Sequence, residues 1–287
     1  MPTAVTTSPD ALEQLRQRLV TSIQRNDLHL PFLPQVASQI ISMVSDPRAE
    51  ISKLASLIHQ DQALAATVLR IANCPLYMPR MPIVSLQQAI TWLGLNLMQE
   101  IAMAASLRNG VFQAKGHEAE VLALWRSSFA TATFAKEIAR LRRQNVEMAH
   151  LCGLLASIGK PALLHALVRL EEELHVRLEP DTVAALQREF HVQVGNLIAV
   201  QWKLPDQVRS VIAFMDRPGI PPKHVVEVTV TALAGRFATH VLTPDQLSEE
   251  ALREDPALTS LNFYPQEIDD LLAKRATIVQ AVDAIRL

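Results

Sequence analysis

Apolar residues recur at helical spacing almost throughout the chain. Leu12, Leu15, Leu19 and Ile23 trace one face behind the start signal Ser8-Pro9-Asp10, and the polar run Arg25-Asn26-Asp27 ends that helix. LHLPFLP follows, its paired prolines enforcing an extended entry. A second helix carries Val36, Ile40, Met43 and Val44 up to Asp46-Pro47. Residues 51–73 read as two short helices, the second capped by Asp61. CPLYMPRMP is a loop. Ser85 to Gln88 is a capping-box pattern, Gly94 ends the helix it opens, and Asn96 with Gln99 repeats the pattern for a helix running to about Gly110.

The second half continues in the same way. Residues 118–143 predict a long helix with Leu122, Trp125, Phe129 and Ala132 on a buried stripe. Residues 147–170 predict one helix, or two abutting ones interrupted at Gly159 and Pro161. Helices at 181–189 and around 194–202 follow, and Leu204-Pro205-Asp206 opens another. VVEVTVTALAG is valine-rich, but Val226, Val230, Leu233 and Phe237 keep a helical face and no partner strand exists, so it reads as helix. Thr243-Pro244-Asp245-Gln246 is a cap signal, and a last helix runs from about Pro265 through Val282. The fold class is therefore an all-α multi-helix bundle.

Composition narrows the chemistry. The 287 residues are 49% hydrophobic and 20% charged, which excludes global disorder. A formal net charge of −2 gives no general drive toward nucleic acid or anionic membrane. The amino terminus lacks the basic and apolar regions of a signal peptide, and no uninterrupted apolar run suggests a membrane span, so a cytoplasmic location is expected. Cys74 and Cys152 form no Cys-x-x-Cys motif; Cys152 sits in an apolar helix and reads as core. Lys136, Arg140, Arg142 and Arg143 cluster at a helix end, where they serve the helix dipole and solvation or, alternatively, bind phosphate. Without interleaved aromatics the cluster does not suggest DNA or RNA binding. Glu171–Glu173 read as a solvated surface.

Several ordered segments carry a family resemblance: LPFLP at 30–34, IHQDQAL at 58–64, VLRIANC at 68–74 and AITWLG at 89–94, then LWRSSFATA, HLCGLLASIGK and EFHVQVGNLIAVQWKLPDQV. In that order and spacing they resemble the HDOD domain, a bacterial signalling module related to HD-type metal phosphohydrolases. The likeness spans about 28–240, departing mildly where Asp61 is followed by Gln62 and where Cys74 stands for a usual serine. It implies a domain over 28–240 in two packed lobes, about 28–115 and 116–240, with helical extensions at 1–27 and 241–287.

The resemblance also implies where a metal site would stand. Ser127 falls where a histidine often follows the Trp-Arg pair, and Ala156 and Ser157 fall on the His-Asp pair that names the superfamily. The later histidines fall in the Phe214-Met215 region, and the late aspartate matches Gly235. His191 survives, as a packed, hydrogen-bonded histidine at a helix start or junction or as a retained ligand-binding residue. His150, His165 and His175 do not repair the pattern. Alanine offers no side-chain lone pair and serine poorly replaces a bridging carboxylate, so no catalytic, metal or cofactor-binding residue and no cofactor are expected. The implied function is a non-catalytic signal-transduction protein, an interaction scaffold or regulator with a protein partner. Family members often place this module beside receiver, GGDEF or EAL domains; with none here, communication is expected to be non-covalent. The alternatives are a module for a small signalling nucleotide and a residual metal-dependent phosphohydrolase.

Overall fold

Local capping fixes many of the helix starts. The computed structural model describes residues 9–44, 51–73, 81–108, 111–112, 114–216 and 221–285. Among these, every regular element is a helix. The first six are α1 (Pro9–Arg25), α2 (Gln35–Val44), α3 (Ile51–His59), α4 (Gln62–Ala72), α5 (Leu86–Leu93) and α6 (Leu95–Arg108). Asp61 caps α4 by accepting from the Leu64 amide at 3.0 Å. Ser85 caps α5 by accepting from the Gln88 amide, but the reciprocal arm differs: Gln88 accepts from Val84 rather than from the cap itself. Gly94 ends α5 with φ of +81°, a conformation glycine tolerates. The expected Asn96 cap is absent, because α6 begins at Leu95, directly after that glycine.

Six helices follow: α7 (Glu118–Leu141), α8 (Val146–Leu155), α9 (Gly159–Leu174), α10 (Pro180–Gln201), α11 (Asp206–Phe214) and α12 (Val225–Leu242). α7 packs most extensively on α8 and α12. The α7–α8 approach needs Gly153, where a Cβ would lie 2.5 Å from the Ala132 Cα. Trp125, Phe129 and Ala132 are buried as the stripe requires; Leu122 is only half-buried, at the edge of a surface cleft. The two helices expected between 181 and 202 are one, α10, since Leu186, Phe190, Val194 and Ile198 continue a single buried face. The valine-rich segment is helical, as α12.

The last four helices are α13 (Glu249–Arg253), α14 (Pro256–Ser260), α15 (Pro265–Ala273) and α16 (Arg275–Ile285). Two expectations change here. Thr243 closes α12 instead of opening a helix; Ser248 supplies the next cap. The final helix is broken at Lys274 into α15 and α16.

Contacts distant in sequence join these parts. The Trp202 indole N–H donates to the Pro31 carbonyl at 2.9 Å, tying the LPFLP segment to the end of α10 while Phe32 remains 87% exposed. Phe112 sits between Trp125 and Trp202, 6.1 Å from each ring. α1 packs on α9 and α10, with Arg18 and Glu173 paired at 3.6 Å. α16 packs on α7 and α12. Val146–Leu174 and Val225–Leu242 are long and apolar enough to cross a membrane, but the first is mostly buried inside the fold and half of the second is, as core helices are.

Candidate functional site

The break between α8 and α9 falls at 156–158, the position of the expected His-Asp pair. Ala156 is buried and Ser157 half-buried there. The start of α9 then runs so close to α10 that a Cβ on Gly159 would lie 1.9 Å from the His191 carbonyl oxygen. Gly195 faces Gly159 in the same crossing. Two glycines therefore set the distance between the broken pair and the surviving histidine.

His191 lies inside α10, not at a helix start or junction. Its Nδ1 donates to the Gln187 carbonyl at 2.7 Å and its Nε2 meets the Asp216 carboxylate at 3.1 Å. The carbonyl fixes the ring's orientation and turns Nε2 toward the Asp216 carboxylate. The Asp216 carboxyl is held below its ordinary range by this bond from His191 and by the nearby positive charge of Lys160, against the opposing effect of burial. The Phe214-Met215 region, assigned to the later histidines, is half-buried against the core; the polar group facing His191 comes from Asp216, one position further on.

Of the other positions, Ser127 lies on a cleft of about 580 Å³ between α7, α10 and the end of α12. Ser127 and Lys160 line it, as does Gln187. Gly235 packs beside Thr131, a turn beyond Ser127 on α7, and Thr239, a turn beyond Gly235, reaches the cleft. The Gly159–Gly195 crossing brings the 156–158 break close to His191, while Ser127 and Gly235 lie on α7 and α12. Among the described residues no group of three or more His, Cys, Asp or Glu side chains is set to hold a metal ion. The residues present do not fit a divalent metal.

The remaining candidates are committed elsewhere. Lys136 makes two bonds to Glu100, at 2.6 and 2.7 Å; Arg140 pairs with Glu137; Arg142 pairs with Glu267 and lies 4.2 Å over the Phe263 ring. Three of the four cations in the basic cluster are therefore committed to carboxylates, Lys136 and Arg142 between helices and Arg140 within α7. Cys152 is buried, and burial pushes its thiol pKa up, as an inert core cysteine requires. Cys74 lies outside the described residues. Glu171 corrects the reading of 171–173 as solvated surface: it is 4% exposed and accepts from the Leu178 amide at 2.6 Å, fastening the turn after α9. His150 is buried, His165 is half-buried and His175 sits in the left-handed cap of α9.

An all-α bundle without a metal-ligand group among its described residues is the class these observations define. The family model of the HDOD domain matches residues 30–218, and the chain belongs to the HDOD domain family. An uncharacterized protein of Treponema pallidum (strain Nichols) is 23% identical over 275 residues, 92% of this chain and 52% of that protein. The chain thus spans about half the length of the curated relative it matches. An HDOD domain protein with unknown function from Geobacter sulfurreducens has a crystal structure that aligns at a TM-score of 0.71 and 23% identity, over 96% of this chain and 97% of that one. A crystal structure from Shewanella amazonensis SB2B, of a protein provisionally named a metal-dependent phosphohydrolase, aligns at 0.70 and 21% identity, over 95% and 99%. At these identities the likeness is one of fold.

Proposed function

We propose that this chain is a non-catalytic signalling module that works as an interaction scaffold or regulator of a protein partner in a bacterial pathway. The observation that carries the reading is the donor set: among the described residues no three His, Cys, Asp or Glu side chains gather to hold a metal ion, and His191 faces one carboxylate, Asp216. A hydrolase of this class needs a bound ion to generate its nucleophile, and one imidazole beside one carboxylate holds it poorly. Ser127, Ala156, Ser157 and Gly235 supply no substitute carboxylate or imidazole. The reading takes 28–240 as the working domain, in two packed lobes, with 1–27 and 241–287 as helical flanks, in the cytoplasm.

The test is turnover. Purified wild type and His191→Ala are incubated with saturating Mn²⁺, Mg²⁺ or Fe²⁺ and with cyclic dinucleotides, nucleoside triphosphates and a generic phosphodiester. The expected outcome is no metal-dependent turnover in either. Multiple turnovers in wild type that vanish in a folded His191→Ala protein would overturn the reading.

A second reading, binding of a small nucleotide, draws on one specific observation: the cleft beside these positions is open rather than packed with apolar side chains.

A further inference from the structure

α16 lies along α7 with an ion pair near each end. Lys274, the single residue between α15 and α16, pairs with Glu137, and Asp283 accepts from the Arg126 Nη2 at 2.9 Å. Glu137 follows Arg126 on α7 while Asp283 follows Lys274, so the two helices run antiparallel, over about 16 Å of α7. Between the pairs Ile278, Ala281 and Val282 are buried, one stripe at i, i+3, i+4 spacing against α7 and α12. Little in α16 favours a helix by itself. Its 11 residues are fewer than an isolated helix needs in water. Thr277, Ile278, Val279, Val282 and Ile285 are β-branched. Its charges oppose its own dipole, with Lys274 and Arg275 at the amino end and Asp283 in the last turn. Those charges match α7 instead. Arg126 depends on that match, because its Nε is buried without a bonded partner among the described residues and Asp283 takes its Nη2. α15 is fastened separately, by Arg142 on Glu267, by Arg253 on Asp269 and by the buried Ile268 and Leu271. A release of α16 therefore stops at Lys274.

A helix that folds only by docking, on a one-residue hinge, belongs to the low-stability end of a structure. We propose that α16 is a detachable cover and that the α7–α12 face beneath it docks a helix of the protein partner. The occupant is a short amphipathic helix in the charge order of α16: a base at its amino end, an apolar stripe, and an acid about two and a half turns on. Charge complementarity selects it, since Arg126 takes a carboxylate and Glu137 a cation from whatever lies there, and a helix of reversed order meets like charges at both ends. The proposal deepens the scaffold reading and rests on it, because it names the surface through which a partner is engaged. The tether sets the competition. One linking residue gives α16 a high effective concentration over its own site, so a helix in trans enters when it binds more tightly or when the end pairs are broken. The Arg126 and Asp283 side chains are 31% and 46% exposed, so that pair can be broken without opening the core.

The experiment combines hydrogen exchange of the full chain with fluorescence anisotropy of a labelled peptide of residues 274–285. Asp283→Arg sets two cations against each other at one end, and Lys274→Glu two carboxylates at the other. The expected result in each variant is exchange of the α16 amides at least about fivefold faster than in wild type, with α7, α8 and α12 unchanged. The peptide is expected to bind each variant at least about fivefold more tightly than it binds wild type, and the same peptide carrying Asp283→Arg to bind at least about fivefold more weakly than the native peptide. The double variant Arg126→Asp, Asp283→Arg is expected to restore slow α16 exchange. Circular dichroism establishes folding, and should both single variants fail to fold, wild type decides: α16 amides as slow as those of α7 would overturn the cover. Unchanged α16 exchange in a folded variant, no gain in peptide binding, or equal binding of the two peptides would also overturn the proposal. A concentration-dependent dimer of Asp283→Arg in sedimentation would assign the face to a second copy's α16 and overturn the partner assignment. Any of these failures without metal-dependent turnover leaves the non-catalytic reading standing, whereas such turnover would sink that reading whatever α16 does.

Discussion

Two polar clusters in this molecule invert the usual relation between a perturbed titratable group and function. One is the rim of the cleft, where Ser127, Lys160 and Gln187 meet an open space and the Gln187 carbonyl holds the His191 ring that faces Asp216. The other joins α6, α7 and α8, where Glu100 takes both of its hydrogen bonds from Lys136 and His150 lies fully buried beside them, its Nδ1 3.9 Å from Glu100. Burial, more than the opposing pull of Glu100, lowers the His150 pKa. Such a shift often marks a working site. Here it marks a sealed joint: the adjoining cavity, which reaches Ile40 of α2, measures about 20 Å³, room for about one water. Among the described residues neither His150 ring nitrogen lies within hydrogen-bonding geometry of a partner. The rim has access without a metal-ligand set, and the joint has a strongly perturbed histidine without access. Titration behaviour and chemical role have separated in the two places.

Mutations sharpen the contrast, beginning with the joint. Glu100→Ala strands Lys136 in a largely buried position and should cost about 3–5 kcal/mol, read from the denaturant midpoint at unchanged slope. A cost near that of an exposed pair would mean the joint is wet. Trp125→Ala removes a 7%-exposed ring that packs beside Phe112 and should cost about 3 kcal/mol or more by the same measurement. Gly159→Ala forces the α9–α10 crossing apart and should cost about 1–3 kcal/mol, with the imidazole resonances of His191 shifting in the NMR spectrum. Stability without spectral change would show that the crossing does not hold the ring. Asp216→Asn should cost about 1 kcal/mol or less, because the Asp216 side chain is 41% exposed.

Acidification separates the clusters as well. The folded chain resists protonating His150 and the unfolded chain does not, so more protons are bound on unfolding. That contribution to stability is complete above the unfolded histidine pKa, about 6.5, and is lost as pH falls below it. Urea titrations from pH 8 to pH 5 should show a steeper decline for wild type than for His150→Leu. Parallel declines would place the titrating group elsewhere.

Sequence reading succeeded where structure is local. Asp61, Ser85 and Gly94 act within four residues of themselves, and each does what its chemistry indicates. The helical period carried α12 past its valines for the same reason. It failed where a residue's role depends on another part of the chain. Glu171 looks like its solvated neighbours Glu172 and Glu173 until the turn to Leu178 folds over it. The His191–Asp216 pair joins residues 25 apart, brought together by α10 and α11 packing and by the tight Gly159–Gly195 crossing.

Metal uptake tests the central claim most directly. The full chain, purified with Mn²⁺ and Fe²⁺ in the growth medium and then dialysed, is analysed for bound metal and titrated calorimetrically with Mn²⁺, beside His191→Ala. The expected result is no stoichiometric metal and no saturable Mn²⁺ binding in either protein. About one tightly held ion per chain in wild type, lost in folded His191→Ala, would contradict the account, because the His191 ring would then have exchanged its bond to Asp216 for a metal.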